Sequence, residues 1–431
     1  MTRDRKDIPL FQDVSDADWS DYRWQLRNRL TTTDDFAQVL NLTDAQRRDL
    51  DACMGKFRVS VTPYYASLMD PDDPTCPVRM QGVATTAELV IHKEDVKDAV
   101  SEDFDSPTPR ITHRYPDRVL FLVTEMCSMY CRHCTRRRLV GGSEDIVAKT
   151  DIDNAIKYIE RATEVRDVLL SGGDPLTLSD DKLEDIIRRV RAIDHVEIIR
   201  IGSRMPVVCP QRVTPELVAM LSKYHPLYFN THFNHPKEFT PESKLACDRL
   251  NDAGIPMGNQ TVLMRGINDD ARVMKKLSHR LLEYRVKPYY YYQCDLAEGT
   301  AHFRTSVAKG IEIYESLRGH TTGFGVPTYI IDAIGGGGKT PVYPNYVISQ
   351  APGQIILRNY EGVISKYTEP DDYVEGRCHC EGCDEHRERL GVAGMFDEGH
   401  GPTLSEVWDA RMQKVVDRKN RMADIFGEAK V

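Results

Sequence analysis

From about residue 118 to residue 331, short β-branched and aromatic runs alternate with segments of helical period, and that alternation admits few folds. The strand candidates are 119–124, 166–171, 196–202, 227–233, 257–263 and 287–293. Between them, Leu183, Ile186, Ile187 and Val190 keep an i, i+3, i+4, i+7 stripe behind a capping Ser179. Thr214–Pro215 and Thr240–Pro241 each place a capping hydroxyl before a proline at the first helical position, while Gly254 and Gly319 sit where helices should stop. Six strand–helix units and a further strand at 326–331 fall short of the eight that close a (βα)8 barrel. A partial barrel and a doubly wound sheet both fit, and both gather ligands at the C-terminal ends of their strands.

Before this block, residues 13–100 read as a polar helical extension interrupted by a loop at Met69–Pro74; after residue 340 come short strands (346–349, 354–359, 362–366), a cysteine group and a polar tail. The expected division is an N-terminal helical extension at 1–110, a barrel at 111–340 and a C-terminal segment at 341–431. No apolar run approaches the roughly 18 residues of a membrane helix, and no signal-peptide core follows Met1, so a cytoplasmic protein is expected. A net charge of −9 without a long basic block favours a small-molecule ligand over nucleic acid or an anionic membrane. Six of the 11 cysteines fall in two tight groups, a pattern of metal or cluster binding rather than of a disulfide framework.

The first group, Cys127, Cys131 and Cys134, forms C-x3-C-x2-C directly after the first strand. Three thiolates suit an iron–sulfur cluster with one open iron, whereas a closed zinc site needs a fourth ligand, for which His133 would have to fold back. Cys127–Ser128–Met129–Tyr130–Cys131–Arg132–His133–Cys134 resembles the cluster motif of the radical S-adenosylmethionine enzymes. That resemblance implies a partial (βα)6-type barrel and a [4Fe–4S] cluster whose open iron chelates S-adenosylmethionine for reductive cleavage to a 5′-deoxyadenosyl radical. Gly172–Gly173–Asp174–Pro175, after the second strand, resembles the turn that binds the methionine amine in that superfamily. By itself it also reads as an ordinary strand-to-helix turn.

Gly335–Gly336–Gly337–Gly338–Lys339–Thr340 ends like a P-loop, but Ala333 stands where the first glycine should be, and Pro341 and Pro344 prevent the following helix. A lysine held out by a flexible loop for Schiff-base chemistry is the preferred reading, with an ordinary loop as the alternative. Over residues 13–395 the chain is similar to the lysine 2,3-aminomutase family. The resemblance is carried by His113–Arg114–Tyr115–Pro116–Asp117–Arg118, Arg200–Ile201–Gly202–Ser203–Arg204, Thr231–His232–Phe233–Asn234–His235–Pro236, Gln293–Cys294–Asp295–Leu296 and the glycine–lysine segment. It implies that Lys339 binds pyridoxal 5′-phosphate covalently and that Arg114, Tyr115, Arg118 and Tyr292 contact the cofactor. It also implies that Arg136 clamps the substrate carboxylate, that Asp295 and Asp332 hold the side-chain ammonium, and that His232 and Gln260 join Gly172, Gly173 and Asp174 around S-adenosylmethionine.

The second group, Cys378, Cys380 and Cys383, is one ligand short of tetrahedral zinc. In the family the fourth ligand is a cysteine of a neighbouring subunit; here Asp270 stands at its position, and His386 could complete the set within one chain. The resemblance further implies a homo-oligomer, a dimer or tetramer, and an electron donor of flavodoxin or ferredoxin type. The implied activity is an isomerase that interconverts L-lysine and L-β-lysine by 1,2-amino migration. An arginine 2,3-aminomutase is the alternative, a glutamate enzyme is disfavoured by the two aspartates, and a catalytically decayed metal-binding regulatory protein is the reading from another class.

Overall fold

A computed structural model of the chain describes residues 3–140, 147–370, 372 and 404–426. Nine strands form one sheet in sequence order: β1 (Ile111–Tyr115), β2 (Arg118–Thr124), β3 (Asp167–Gly172), β4 (Ile198–Gly202), β5 (Leu227–Thr231), β6 (Met257–Leu263), β7 (Val286–Gln293), β8 (Thr328–Ala333) and β9 (Gly338–Pro341). β2 to β8 run parallel, and β1 and β9 add antiparallel edges.

Side-chain alternation explains the register. Phe121, Leu170, Ile201, Phe229, Met257 and Val286 are cross-strand partners in one continuous buried row across six strands. The next row is small or polar, with Gly202, Asn230 and Gly258 in register and Leu169 and Ser171 beside Gly202.

The crossovers are α1 (Lys149–Arg161), α2 (Asp180–Arg191), α3 (Pro215–Leu221), α4 (Pro241–Asp252), α5 (Ala271–Glu283) and α6 (Val307–Leu317). The caps expected from sequence form. Ser179 accepts from the Lys182 amide, Thr214 from Leu217 and Thr240 from Ser243, and the Leu183–Val190 stripe is buried. The barrel is the partial one, with six strand–helix units and a seventh parallel strand, and not a doubly wound sheet.

Two sets of contacts complete the barrel. The sheet curls far enough for its edge strands to touch, the Tyr115 hydroxyl of β1 accepting from the Lys339 amide of β9 at 2.9 Å. The N-terminal extension also bonds to the barrel's loops through backbone and side chain. Tyr65 donates to Glu238 at 2.7 Å, and the Arg132 amide donates to the Gln81 carbonyl at 3.0 Å.

The first compact unit runs to Tyr343 and the second begins at Pro344. The second contains an antiparallel sheet of β10 (Val347–Ala351), β11 (Gln354–Arg358) and β12 (Ile364–Thr368), and a helix, α7 (Leu404–Phe426). Among the described residues no helix is long and apolar enough to cross a membrane.

Candidate active site

The loop after β2 carries the three cysteines and is zipped to the turn after β3. The Gly173 amide donates to the Thr124 carbonyl at 2.6 Å and the Asp174 amide to Met126 at 2.8 Å. A Cβ on Gly172 would collide with the Thr124 carbonyl and one on Gly173 with that of Met126, so only glycine permits this approach. The Gly-Gly-Asp turn thus sets the height of Cys127. Burial, then Asp174 and the two other thiols, pushes the Cys127 thiol up, and burial and Cys131 do the same to Cys134. The three thiols therefore lie within electrostatic reach of one another.

The Asp174 carboxylate is buried. It accepts from Ser203 Oγ at 2.7 Å, the Leu176 amide at 3.0 Å and the Arg204 amide at 2.9 Å. Arg204, which sequence reasoning left out of the site, donates from Nη1 to Cys131 Sγ at 2.8 Å and from Nη2 to Gln81 and Glu238 at 2.6 and 2.8 Å. Its guanidinium lies against the cysteine loop. His232 uses Nδ1 on the Gln260 carbonyl at 3.0 Å, and burial, reinforced by Arg204, pushes its pKa down to about 4. Gln260 in turn donates to the Tyr292 hydroxyl at 3.0 Å.

Gly335, Gly336 and Gly337 lie in the turn of a hairpin whose second strand starts at Gly338, not in a free loop. Gly335, Gly336 and Gly338 have φ of 71°, 73° and 81°, and the expectation of a lysine held out by a flexible loop is corrected accordingly. Lys339 lies on β9 as the register partner of Asp332, with Nζ 3.5 Å from Oδ1 and 5.3 Å from the Tyr292 ring centroid. Asp295 joins them after β7. Burial, then the Asp332 charge, pushes its carboxyl up to about 7 against the pull of Lys339. Arg118 stacks on the Tyr115 ring at 3.9 Å, whereas the Arg114 guanidinium is engaged with Asp105 at 2.6 Å and with the Val100 carbonyl.

Residues 121–277 match the Radical SAM superfamily model and residues 314–423 the model described as Lysine-2,3-aminomutase. L-lysine 2,3-aminomutase of Clostridium subterminale is 57% identical over 400 residues, 92% of this chain and 96% of that protein. The chain belongs to the lysine 2,3-aminomutase family. L-lysine 2,3-aminomutase of Fusobacterium nucleatum subsp. nucleatum is 56% identical over 405 residues, 94% of this chain and 95% of that one. Glutamate 2,3-aminomutase of Clostridioides difficile is 47% identical over 352 residues, 82% of this chain and 83% of its own length.

Membership of the lysine 2,3-aminomutase family makes the chain an isomerase that uses a [4Fe–4S] cluster, S-adenosylmethionine and pyridoxal 5′-phosphate. The residues fit these groups. Thiols whose burial resists ionisation become thiolates when a cation holds them, and Arg204 already directs a donor to one of them. Among the described residues no three His, Cys, Asp or Glu side chains are placed to hold one metal ion. His133 is buried near Asn234, with Nε2 3.4 Å from Nδ2.

The remaining residues that sequence reasoning missed come from one segment. Glu88 binds Arg132 and Arg137, each at 2.6 Å, Asp95 binds Arg304, Asp98 and Asp103 bind Arg138, and Glu102 binds Arg136. Every arginine of the run after Cys134 is thereby countered from residues 88–103. Cys378, Cys380, Cys383 and His386 lie outside the described residues. Asp270 caps α5, and its carboxylate pairs with Arg272 at 2.7 Å.

Proposed function

We propose that this protein interconverts L-lysine and L-β-lysine. The observation that carries the reading is the meeting of Asp295 and Asp332 beside Lys339. Burial and then the Asp332 charge push Asp295 up to about 7, so the pair gains from a single bound cation, which a lysine side chain supplies. A glutamate side chain would add a third negative charge there.

When bound, the cluster with S-adenosylmethionine supplies the one-electron chemistry that opens the Cβ–H bond, and pyridoxal 5′-phosphate supplies the carbonyl carbon that carries the migrating nitrogen. Cys127, Cys131 and Cys134 hold the cluster, leaving one iron without a protein ligand. Lys339 holds the pyridoxal group through Nζ, with Tyr115, Arg118 and Tyr292 around it. Arg114 belongs to this set through the shape of the wall, since its charge is answered by Asp105.

Arg136 takes the α-carboxylate with a planar guanidinium, and Asp295 and Asp332 take the distal ammonium, so the chain between them is stretched across the mouth of the barrel. Tyr292 lies within electrostatic reach of Arg136 as well as of both aspartates. His232, kept neutral by burial, adds no charge beside S-adenosylmethionine, which Gly172, Gly173, Asp174 and Gln260 flank through the turn after β3 and the end of β6. The N-terminal extension, through Tyr65, Gln81 and Glu88, excludes water from the loop side of the cluster.

The reading extends to a cytoplasmic homo-oligomer, reduced by a flavodoxin or ferredoxin, with zinc on Cys378, Cys380 and Cys383. Reconstituted anaerobically and offered lysine, arginine and glutamate separately, the protein is expected to yield β-lysine alone. β-Arginine as the sole product would keep the chemistry and overturn the substrate.

A further inference from the structure

An arginine offers a carboxylate two bidentate edges, Nε with Nη2 and Nη1 with Nη2. In Arg136 the first edge is filled, Nε lying 2.9 and 3.0 Å from the two Glu102 oxygens and Nη2 2.7 Å from one of them. Nη1 makes a 3.4 Å contact with Ser171 Oγ on β3 and, among the described residues, meets no carboxylate. The edge left over is therefore the one beside Ser171, in the row of Gly202, Asn230 and Gly258.

Glu102 is held there by its neighbours, independently of Arg136. Asp98 and Asp103 pair with Arg138 at 3.2 and 2.9 Å, and Asp105 pairs with Arg114 at 2.6 Å, so the backbone is pinned on both sides of Glu102. The Glu102 side chain is 7% exposed against 25% for Arg136, which puts the carboxylate behind the guanidinium.

We propose that Glu102 is a positioning residue for the substrate carboxylate. It fills the Nε–Nη2 edge of Arg136, fixes the plane of the guanidinium, and presents the Nη1–Nη2 edge to the amino acid. Glu102 thereby makes the site select amino acids over amines of the same length. This inference rests on Arg136 being the carboxylate clamp.

The test uses the anaerobic holoenzyme without reductant, so that ligands bind but do not turn over. Calorimetric titration compares lysine with 1,5-diaminopentane, which keeps both amines and lacks the carboxylate. Glu102→Gln is expected to weaken lysine about tenfold or more while the diamine changes less than about twofold; in turnover, KM for lysine rises while kcat falls much less. Equal weakening of both ligands, or an unchanged preference for lysine, overturns the proposal.

Arg136→Lys separates the two ideas. If it collapses the lysine preference and Glu102→Gln does not, Glu102 alone is misassigned; if it leaves the preference intact, the clamp reading itself is wrong. The preference is a ratio and does not depend on the folded fraction. If Glu102→Gln does not fold, Glu102→Asp is judged by the same ratio, a smaller loss of preference being expected and no loss counting against the proposal.

Discussion

Lys339 and Asp332 face each other across the β8–β9 hairpin as register partners, Nζ standing 3.5 Å from Oδ1. The lysine proposed to carry the cofactor and an aspartate proposed to bind the substrate are thus positioned by a single element. Its turn is built from glycines whose positive φ other residues adopt at a cost.

Deleting Gly336 shortens that turn by one residue, and a one-residue slip in a strand turns every side chain to the opposite face. The expected result is loss of covalently held pyridoxal phosphate, read from the protein after borohydride reduction. Circular dichroism should remain close to that of the parent. Retained covalent loading would show that the hairpin register does not set the lysine's position.

Asp295, pushed up to about 7 by burial and then by Asp332, is protonated below that pH and charged above it. Ammonium binding therefore strengthens as pH rises through about 7, and kcat/KM for lysine should climb across this range. Asp295→Asn should flatten the rise and lower kcat/KM by about tenfold or more at pH near 8. A pH profile unchanged in the variant would remove Asp295 from the ammonium site.

Glu88 is 1% exposed and answers two arginines of the cysteine loop. Burial opposes its ionisation, but Arg132 and Arg137 outweigh burial and hold its carboxyl below the usual range. Glu88→Gln leaves two buried cations undercompensated and should cost about 3–5 kcal/mol in denaturant unfolding. A cost below about 1 kcal/mol would mean that the loop finds other counter-charges.

Gly173→Ala forces a methyl group against the Met126 carbonyl, one residue before Cys127. Overpacking of this kind costs about 1–3 kcal/mol, and the strain falls on the cysteine loop. The variant should take up less iron on reconstitution than the parent, measured by iron content and the cluster's visible absorbance. Full iron loading would show that the loop yields without moving its thiols.

Removing the donor that Arg204 gives to Cys131 should change the cluster itself. Hydrogen bonds to sulfur help set cluster potentials by stabilising the more reduced, more negative state. Arg204→Gln should shift the midpoint downward in an electron paramagnetic resonance titration, and an unchanged midpoint would leave Arg204 a purely structural group.

What the sequence by itself determined is what acts over short range. The capping hydroxyls of Ser179, Thr214 and Thr240, the buried stripe of α2, the apolar runs that become β2 to β7 and the C-x3-C-x2-C spacing are all local patterns, and each was legible because helix and strand signals are local. The tertiary structure decided which charges meet. Glu102 finds Arg136 across 34 residues and Glu88 finds Arg132 across 44, separations at which an acidic residue in a polar segment looks like any solvated one. Arg204 lay in a segment already singled out, but only the curl of the sheet brings it to Cys131, 73 residues away. Lys339 looked like a loop residue because four glycines carry no periodicity. Its place opposite Asp332 comes from backbone pairing, which depends on the neighbouring strand and not on the residues of the turn.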